Sequence, residues 1–138
     1  MTSKFLSEIN LLRRKQAEKT LYAFAKYYMP HYLKLNPSKA HHEIYDLLAD
    51  IMAQRDKRLA IAAPRGFGKS TLITLFYIIY AICYCRERFI VILSDTASQA
   101  EQILENIKKE LTENEKIRMD FPEVFEKDGR PKPPRWRQ

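Results

Sequence analysis

The residues of this sequence that are best suited to chemistry lie in one short segment, AIAAPRGFGKSTL, at positions 60–72. It matches the phosphate-binding pattern G-x-x-x-x-G-K-[ST], except that Ala63 takes the place of the first glycine. Glycines let the backbone turn so that several N–H groups converge on one anion. The segment therefore predicts a nucleotide-binding loop, although a glycine turn with an incidental lysine has the same composition. The predicted binding residues are Pro64, Arg65, Gly66, Phe67, Gly68, Lys69, Ser70 and Thr71.

The polar residues of this loop have roles that follow from their chemistry. Lys69 is expected to lie against the β- and γ-phosphates of ATP, and Ser70 to ligate Mg²⁺ through its hydroxyl. The helix that begins there points the positive end of its dipole at the same phosphates. Arg65 is a second cation, which either stabilises charge on the γ-phosphate or pairs with a local carboxylate. Lys69 and Arg65 are the candidate catalytic residues, and ATP and Mg²⁺ are the predicted cofactors.

The acidic residues that ATP hydrolysis requires are harder to find. A carboxylate at the end of a neighbouring strand has to hold Mg²⁺, and a further carboxylate or glutamine has to orient the attacking water. Asp95, which follows the run FIVILS, is the candidate of this kind. No glutamate follows it, and Thr96 with Gln99 instead predicts a capping box that opens a helix. The sequence thus predicts nucleotide binding more strongly than hydrolysis.

The apolar periodicity changes along the chain in a way that predicts an α/β fold. RLAIAA (58–63) and RFIVILS (88–94) are short apolar runs typical of buried strands. Residues 69–84 are predicted to form an apolar helix between them, and an amphipathic helix follows Thr96. Strand, loop, helix, strand and helix in this order predict a βαβ unit. We therefore expect a P-loop NTPase-like core with an incomplete parallel sheet, preceded by N-terminal helices.

These patterns divide the chain into three segments. Residues 1–57 are predicted to be helical, with helices over 4–29 and 39–54 that each carry an apolar stripe. Residues 58–114 are the predicted βαβα core. Residues 115–138 hold four of the seven prolines and are predicted to be an irregular basic tail. Because two parallel strands leave sheet edges and helix faces uncovered, we expect this core to be the front part of a larger domain.

Composition favours a soluble protein with a polyanionic partner. The net charge is +7, although lysines that only solubilise a chain give a similar value. The apolar run LITLFYIIYAIC is shorter than the roughly 20 residues of a membrane-spanning helix, and the N-terminus is not typical of a secretory signal. Cys83 and Cys85 end the predicted apolar helix, and we expect them to be buried free thiols in a reducing bacterial cytoplasm.

Two further features leave a choice between a binding role and a structural one. His31, His41 and His42 lack the cysteine or carboxylate neighbours of a metal site and are more typical of exposed or capping histidines. The tail GRPKPPRWRQ combines cations and prolines with Trp136. It is suited to hold a nucleic-acid backbone and to stack on a base, or it is a linker that is basic by chance.

Three segments in this order resemble the N-terminal part of the ATPase domain of large terminase subunits from tailed bacteriophages. They are AFAKYYMPHYLKLNPSKAHHEIYDLL, then APRGFGKSTL with its internal arginine, and ILSDTASQAEQILENIKKELTEN followed by DFPEVF. The resemblance covers roughly residues 20–125. It implies an ATP-driven motor that packages double-stranded DNA as a ring docked on the portal protein, aided by a small terminase subunit. Such subunits usually carry a C-terminal nuclease domain as well.

The resemblance also implies roles for particular residues. Lys69 and Ser70 contact phosphate and magnesium, and Arg65 senses or stabilises the γ-phosphate. His42 and Tyr45 lie where the family places residues near the adenine. The family's magnesium-linked aspartate, catalytic glutamate and nuclease domain have no counterpart here, so we expect a truncated ATPase that hydrolyses ATP only with those parts. Two alternatives stay open, a small self-contained P-loop NTPase or kinase that uses Asp95 and a non-enzymatic DNA-binding assembly module.

Overall fold

The computed structural model of the protein describes residues 2–54, 56–87 and 89–125, with side chains from Ser7 onward. This part of the chain is built from helices joined by short segments without regular secondary structure. In chain order the elements are α1 (Thr2–Glu18), α2 (Leu21–Tyr28), a 3₁₀ turn (Pro30–Tyr32), α3 (Lys39–Ala53), a π-helical segment (Thr71–Tyr77), α4 (Ile78–Cys83), α5 (Ala97–Glu113), α6 (Glu115–Asp120) and a second 3₁₀ turn (Pro122–Val124).

The predicted α/β fold is wrong, because the described residues form no strand and no sheet. Residues 58–63 and 89–94 have no regular secondary structure and make no ladder with each other or with another segment of the described chain; Arg88 lies outside the described residues. Both keep the period-two pattern of a half-buried strand. Ile61, Ile90 and Ile92 pack against the helices. The alternating apolar side chains on the other side are exposed, namely Leu59, Phe89, Val91 and Leu93.

Most of the helix predictions are confirmed, with one division that the periodicity did not reveal. The predicted helix over 4–29 is two helices, because Thr20 caps α2 by accepting a hydrogen bond from the Ala23 amide at 3.0 Å. The helix predicted over 39–54 is α3. The helix predicted over 69–84 is present, but its middle is π-helical.

The C-terminal part of the described chain is more regular than predicted. Asn114 caps α6, since its side chain accepts from the Ile117 amide at 3.2 Å. The interpretation of 115–138 as irregular is therefore wrong for α6 and for the 3₁₀ turn that follows it. Residues 126–138, with the basic tail and Trp136, lie outside the described residues.

The core is an aromatic cluster between the N-terminal helices and the C-terminal part of the chain. The Phe24 ring makes an edge contact with the Tyr80 ring at 5.3 Å, and the Tyr84 ring does so with Phe121 at 5.1 Å. The hydroxyls of Tyr80 and Tyr84 leave this cluster to donate to main-chain carbonyls near the end of α1, each at 2.7 Å. Their rings thus fill the core while their hydroxyls bond to the main chain of α1, and the Glu18 carbonyl that Tyr80 satisfies is one of the four at the helix end without an intrahelical partner.

A buried carboxylate connects three helices across this core. Asp120 of α6 is 2% exposed. It accepts a hydrogen bond from the Tyr28 hydroxyl of α2 at 2.8 Å and one from Arg13 Nη2 of α1 at 2.7 Å. The bond to Asp120 raises the pKa of the Arg13 guanidinium. Burial, followed by the bond to Asp120, raises the pKa of Tyr28 well above its usual range. Removal of one partner would leave a buried charge without compensation.

The two cysteines have different environments. Cys83 is buried, as predicted, and burial raises the pKa of its thiol. Cys85 is exposed, so the prediction of a second buried thiol is wrong. The chain leaves α4 just before it, and Cys85 takes a left-handed conformation with φ 51°. No helix in the described part of the chain is both long and apolar enough to cross a membrane.

The raised pKa of Tyr28 predicts a loss of stability at alkaline pH. The unfolded chain releases the tyrosine proton near pH 10, whereas the folded chain retains it. This contribution is therefore intact below about pH 10 and is lost above it, by up to about 1.4 kcal/mol per pH unit. Urea unfolding followed by circular dichroism, at about pH 8 and about pH 11, measures the difference. Tyr28→Phe should be less stable at the lower pH but should lose less on going to the higher one; equal losses would contradict this account.

Candidate functional site

The glycine loop, residues 64–69, turns through two left-handed positions. Gly66 has φ 81° and Gly68 has φ 76°, a region that is unfavourable for residues with a side chain. A Cβ on either glycine would meet no atom within 4 Å, so glycine is needed for its conformation and not for space. Among the described residues, the amides of Gly66, Phe67 and Gly68 find no hydrogen-bond acceptor. A turn of this kind with free amides is suited to bind an anion.

Lys69 closes the loop. Its Nζ donates to the carbonyl oxygen of Ala63 at 3.1 Å, and its side chain is half-buried. Ala63 has no positive φ, which explains why alanine is tolerated where the phosphate-binding pattern has glycine. No carboxylate of the described chain lies within ion-pair distance of Lys69. Its charge is therefore not neutralised at the loop.

The helix after the loop begins at Lys69 and becomes π-helical over Thr71–Tyr77. π-Helical turns occur frequently at functional sites. Thr74 Oγ1 donates to the Ser70 carbonyl oxygen at 2.6 Å. Ser70 is exposed, and its hydroxyl makes no hydrogen bond within the described chain. Its position beside Lys69 at the start of a helix fits the predicted magnesium ligand, while Thr71 faces the cavity described below.

Arg65 extends from the loop into solvent. The sequence left two interpretations open, a contact with the γ-phosphate or an ion pair with a local carboxylate. No carboxylate in the described ranges pairs with it. The ion-pair interpretation therefore has no support in this structure, and the guanidinium is accessible to an external anion.

A cavity of about 390 Å³ opens beside the loop. This volume is within the range of small-molecule sites. Its walls are the connector 32–38, α3, the glycine loop and the start of the π-helical segment. Tyr45 of α3 is 3% exposed, lines the cavity, and has a hydroxyl without a hydrogen-bond partner among the described residues. Burial raises the pKa of Tyr45 to about 12, so this hydroxyl is neutral and can donate or accept.

Of the two neighbouring histidines, His41 and not His42 reaches the loop. His41 lines the cavity, stacks on the Phe67 ring and bonds to the Phe67 carbonyl oxygen. His42 is exposed and makes an edge contact with the Tyr22 ring at 4.9 Å. The resemblance placed His42 and Tyr45 near the adenine, whereas His41 was interpreted only as an exposed or capping histidine. A signal for the capping role was present, because Ser38 is the N-cap of α3 and His41 is three residues after it, where a side chain turns back to the helix start.

A second residue whose role the sequence did not reveal is Glu110 of α5, which contacts the 3₁₀ turn at the start of the connector. It is 8% exposed. Its Oε2 lies 3.2 Å from His31 Nε2 and accepts from the Tyr32 hydroxyl at 3.4 Å, while Oε1 accepts from Asn114 at 2.6 Å. Burial, together with Glu110, raises the pKa of Tyr32. Its position between Ile107 and Leu111 on the apolar face of a helix was the available signal.

Asp95 is not brought into the cavity. It is exposed just before α5. Thr96 caps that helix by accepting from the Gln99 amide at 3.3 Å. The predicted capping box is not closed, because the Gln99 side chain instead accepts from the Ser94 hydroxyl at 2.8 Å. No three His, Cys, Asp or Glu side chains converge within the described ranges, but Mg²⁺ bound through a serine, water and phosphate oxygens needs no such group.

The loop, its lysine and the adjoining cavity together define a candidate anion-binding site. Comparisons with protein-family models, curated proteins and solved structures gave no match for this chain. The function of the site is therefore inferred from its own geometry and chemistry.

The left-handed loop predicts different effects for two substitutions of Gly68. Gly68→Ala should lower the free energy of unfolding by about 1–2 kcal/mol, since a Cβ disfavours this conformation. Gly68→Asn should lower it less, because asparagine enters the left-handed region more readily. Urea unfolding of both variants measures the effect. An alanine variant as stable as the wild type would show that Gly68 does not hold a left-handed conformation.

Proposed function

We propose that this chain binds ATP and Mg²⁺ at the glycine loop and is the ATP-binding part of a bacteriophage DNA-packaging motor. The observation that carries the binding proposal is the combination of free amides at Gly66 to Gly68 with an unneutralised Lys69 at the start of a helix. These are the groups that a polyphosphate needs, fixed dipoles and one mobile cation. The cavity beside them has room for the rest of a nucleotide.

Each residue of the site has a physical role in this proposal. The amides of the loop hold the phosphates, and Lys69 leaves the Ala63 carbonyl to neutralise their charge. Ser70 supplies a hydroxyl oxygen to Mg²⁺, and Arg65 reaches the outermost phosphate from the solvent side. Tyr45 provides a polar contact inside the cavity. ATP, when bound, would supply the phosphoryl bond whose hydrolysis drives a motor.

The packaging role is supported by the order of three sequence segments and not by the fold. In this proposal double-stranded DNA, a portal protein and a small terminase subunit are the partners, the working form is a ring, and the compartment is the bacterial cytoplasm. The net charge of +7 agrees with a polyanionic partner. Hydrolysis would require a catalytic glutamate from another polypeptide segment, because Asp95 does not line the cavity.

Two alternatives make different experimental demands. A self-contained NTPase or kinase would turn over ATP at high dilution and would lose this activity in Asp95→Ala. A DNA-binding assembly module would bind DNA in a salt-sensitive manner, with no ATP binding and no effect of Lys69→Ala. The exposed position of Asp95, outside the cavity, disfavours a self-contained NTPase or kinase, and the free loop amides with Lys69 disfavour a module that binds no nucleotide.

Removal of the loop cation is the direct test of nucleotide binding. Lys69→Ala should weaken the binding of a non-hydrolysable ATP analogue with Mg²⁺ at least about tenfold, because a charge-assisted contact is lost. Titration calorimetry on the full chain measures the affinity. Lys26→Ala, which removes an exposed lysine of α2, is the matched control and should bind as the wild type does. No heat with millimolar ligand in the wild type, or equal affinity in Lys69→Ala, would overturn the proposal.

The unpaired hydroxyl of Tyr45 predicts opposite effects on stability and on binding. Tyr45→Phe should stabilise the free chain by about 1 kcal/mol, because an unsatisfied buried group is removed. It should weaken ATP severalfold while leaving inorganic tripolyphosphate unaffected, if the cavity holds the nucleoside. Thermal unfolding and calorimetry measure the two quantities.

The control for this substitution is Tyr84→Phe. Its hydroxyl donates to the Arg14 carbonyl oxygen at 2.7 Å, so the same chemical change should destabilise the chain without affecting ligand. A Tyr45→Phe variant that is less stable than the wild type would contradict the unpaired state of the hydroxyl. A variant that binds ATP as well as the wild type does would exclude the hydroxyl as a ligand contact.

A further inference from the structure

We infer that His41 is a positioning residue that fixes the orientation of the Phe67–Gly68 peptide group and so presents the Gly68 amide to phosphate. This inference rests on the proposed function and deepens it. It gives a residue of α3, outside the glycine loop, a role in the phosphate site.

The protonation of His41 follows from its two neighbours. The Ser38 amide donates to His41 Nδ1 at 3.0 Å, and the Ser38 hydroxyl lies 2.7 Å from the same nitrogen. A nitrogen that accepts from an amide carries no proton, so in the neutral ring the proton is on Nε2. His41 Nε2 lies 2.8 Å from the Phe67 carbonyl oxygen and donates to it. One imidazole therefore links the start of α3 to the centre of the glycine loop.

The ring of His41 restrains the same residue a second time. It lies parallel to the Phe67 ring, with 4.1 Å between the centroids and 2° between the planes. Phe67 is thus held by its side chain and by its carbonyl group, between two left-handed glycines that have no side chain to restrain them. Without His41, the peptide groups on both sides of Phe67 would be free to rotate.

The orientation of one peptide group determines what the loop offers to a ligand. In a trans peptide the carbonyl of one residue and the N–H of the next point in opposite directions. The described chain has no cis peptide bond. Because His41 holds the Phe67 carbonyl on its own side, the Gly68 N–H points away from His41. Rotation of this group would turn a carbonyl oxygen towards the anion in place of an amide.

Three substitutions at His41 separate the contacts. His41→Ala removes both the stack and the hydrogen bond, His41→Phe keeps a ring for stacking, and His41→Gln keeps a donor at the position of Nε2. With Mg²⁺ present, the affinities for tripolyphosphate and for the ATP analogue should fall together, about tenfold in His41→Ala and in His41→Phe. His41→Gln should recover much of the loss.

A second measurement reports the loop conformation without ligand. The chain has three glycines, so ¹⁵N-glycine labelling gives a spectrum of three amide signals, and Gly129→Ala identifies the one outside the loop. His41→Ala should shift the signals of the two loop glycines, and His41→Gln should shift them less. Thr96→Ala, which removes the cap of a different helix, is the control: it should lower the melting temperature and change neither the loop signals nor the affinities.

The outcomes distinguish this inference from the proposed function. Unchanged glycine signals and unchanged tripolyphosphate affinity in His41→Ala, with a lower melting temperature, would reduce His41 to a helix cap and overturn the inference. A loss for the ATP analogue but not for tripolyphosphate would make His41 a cavity wall and would also overturn it. A wild type that binds neither ligand would overturn the proposed function and with it any role of His41 in binding phosphate. Shifted glycine signals in His41→Ala would then still show that His41 orients the loop.

Discussion

The arrangement of α1, α2 and α6 depends on the buried carboxylate of Asp120. Asp120 is held between the Tyr28 hydroxyl and the Arg13 guanidinium, and these contacts join residues 92 and 107 positions apart in the chain. A buried charge is tolerated when it is paired and hydrogen-bonded, and it specifies one arrangement because any other leaves it unsatisfied. Apolar packing of the aromatic rings is non-directional, whereas the carboxylate accepts hydrogen bonds from two partners in one geometry. The position of α6 against α1 and α2 follows from this constraint.

Two sets of polar contacts connect the helices to the candidate site. Glu110 on α5 holds the 3₁₀ turn at the start of the connector, through His31 and Tyr32. The connector then forms one wall of the cavity, and His41 at the start of α3 reaches across to the glycine loop. The loop is therefore supported by helices distant from it in sequence. A flexible glycine segment gains a defined conformation only from such external contacts, since glycine itself restrains little.

The failure of the predicted sheet has a physical explanation in two segments. Residues 89–94 have the β-branched composition of a strand. Both 58–63 and 89–94 have the alternation of half-buried strands, and one side of each does pack on the helices. A strand also needs hydrogen-bond partners along its backbone, and composition does not supply them. The helical core on which these segments pack provides apolar contact but no free backbone edge. As a result the side chains of 89–94 alternate between the core and solvent, with Phe89, Val91 and Leu93 exposed, but the backbone of this segment forms no hydrogen-bonded ladder.

The sequence by itself determined the local features, because these depend on residues close together in the chain. The caps at Ser38 and Thr96, the limits of α3, and the left-handed turn at Gly66 and Gly68 are of this kind. The cap at Thr20 is local as well, although the apolar periodicity did not reveal it. The pairing of Arg13 with Asp120, the orphan hydroxyl of Tyr45 and the bond from His41 to Phe67 were decided by tertiary structure. Each depends on groups that are distant in the chain, and its energy depends on burial and approach that no local pattern encodes.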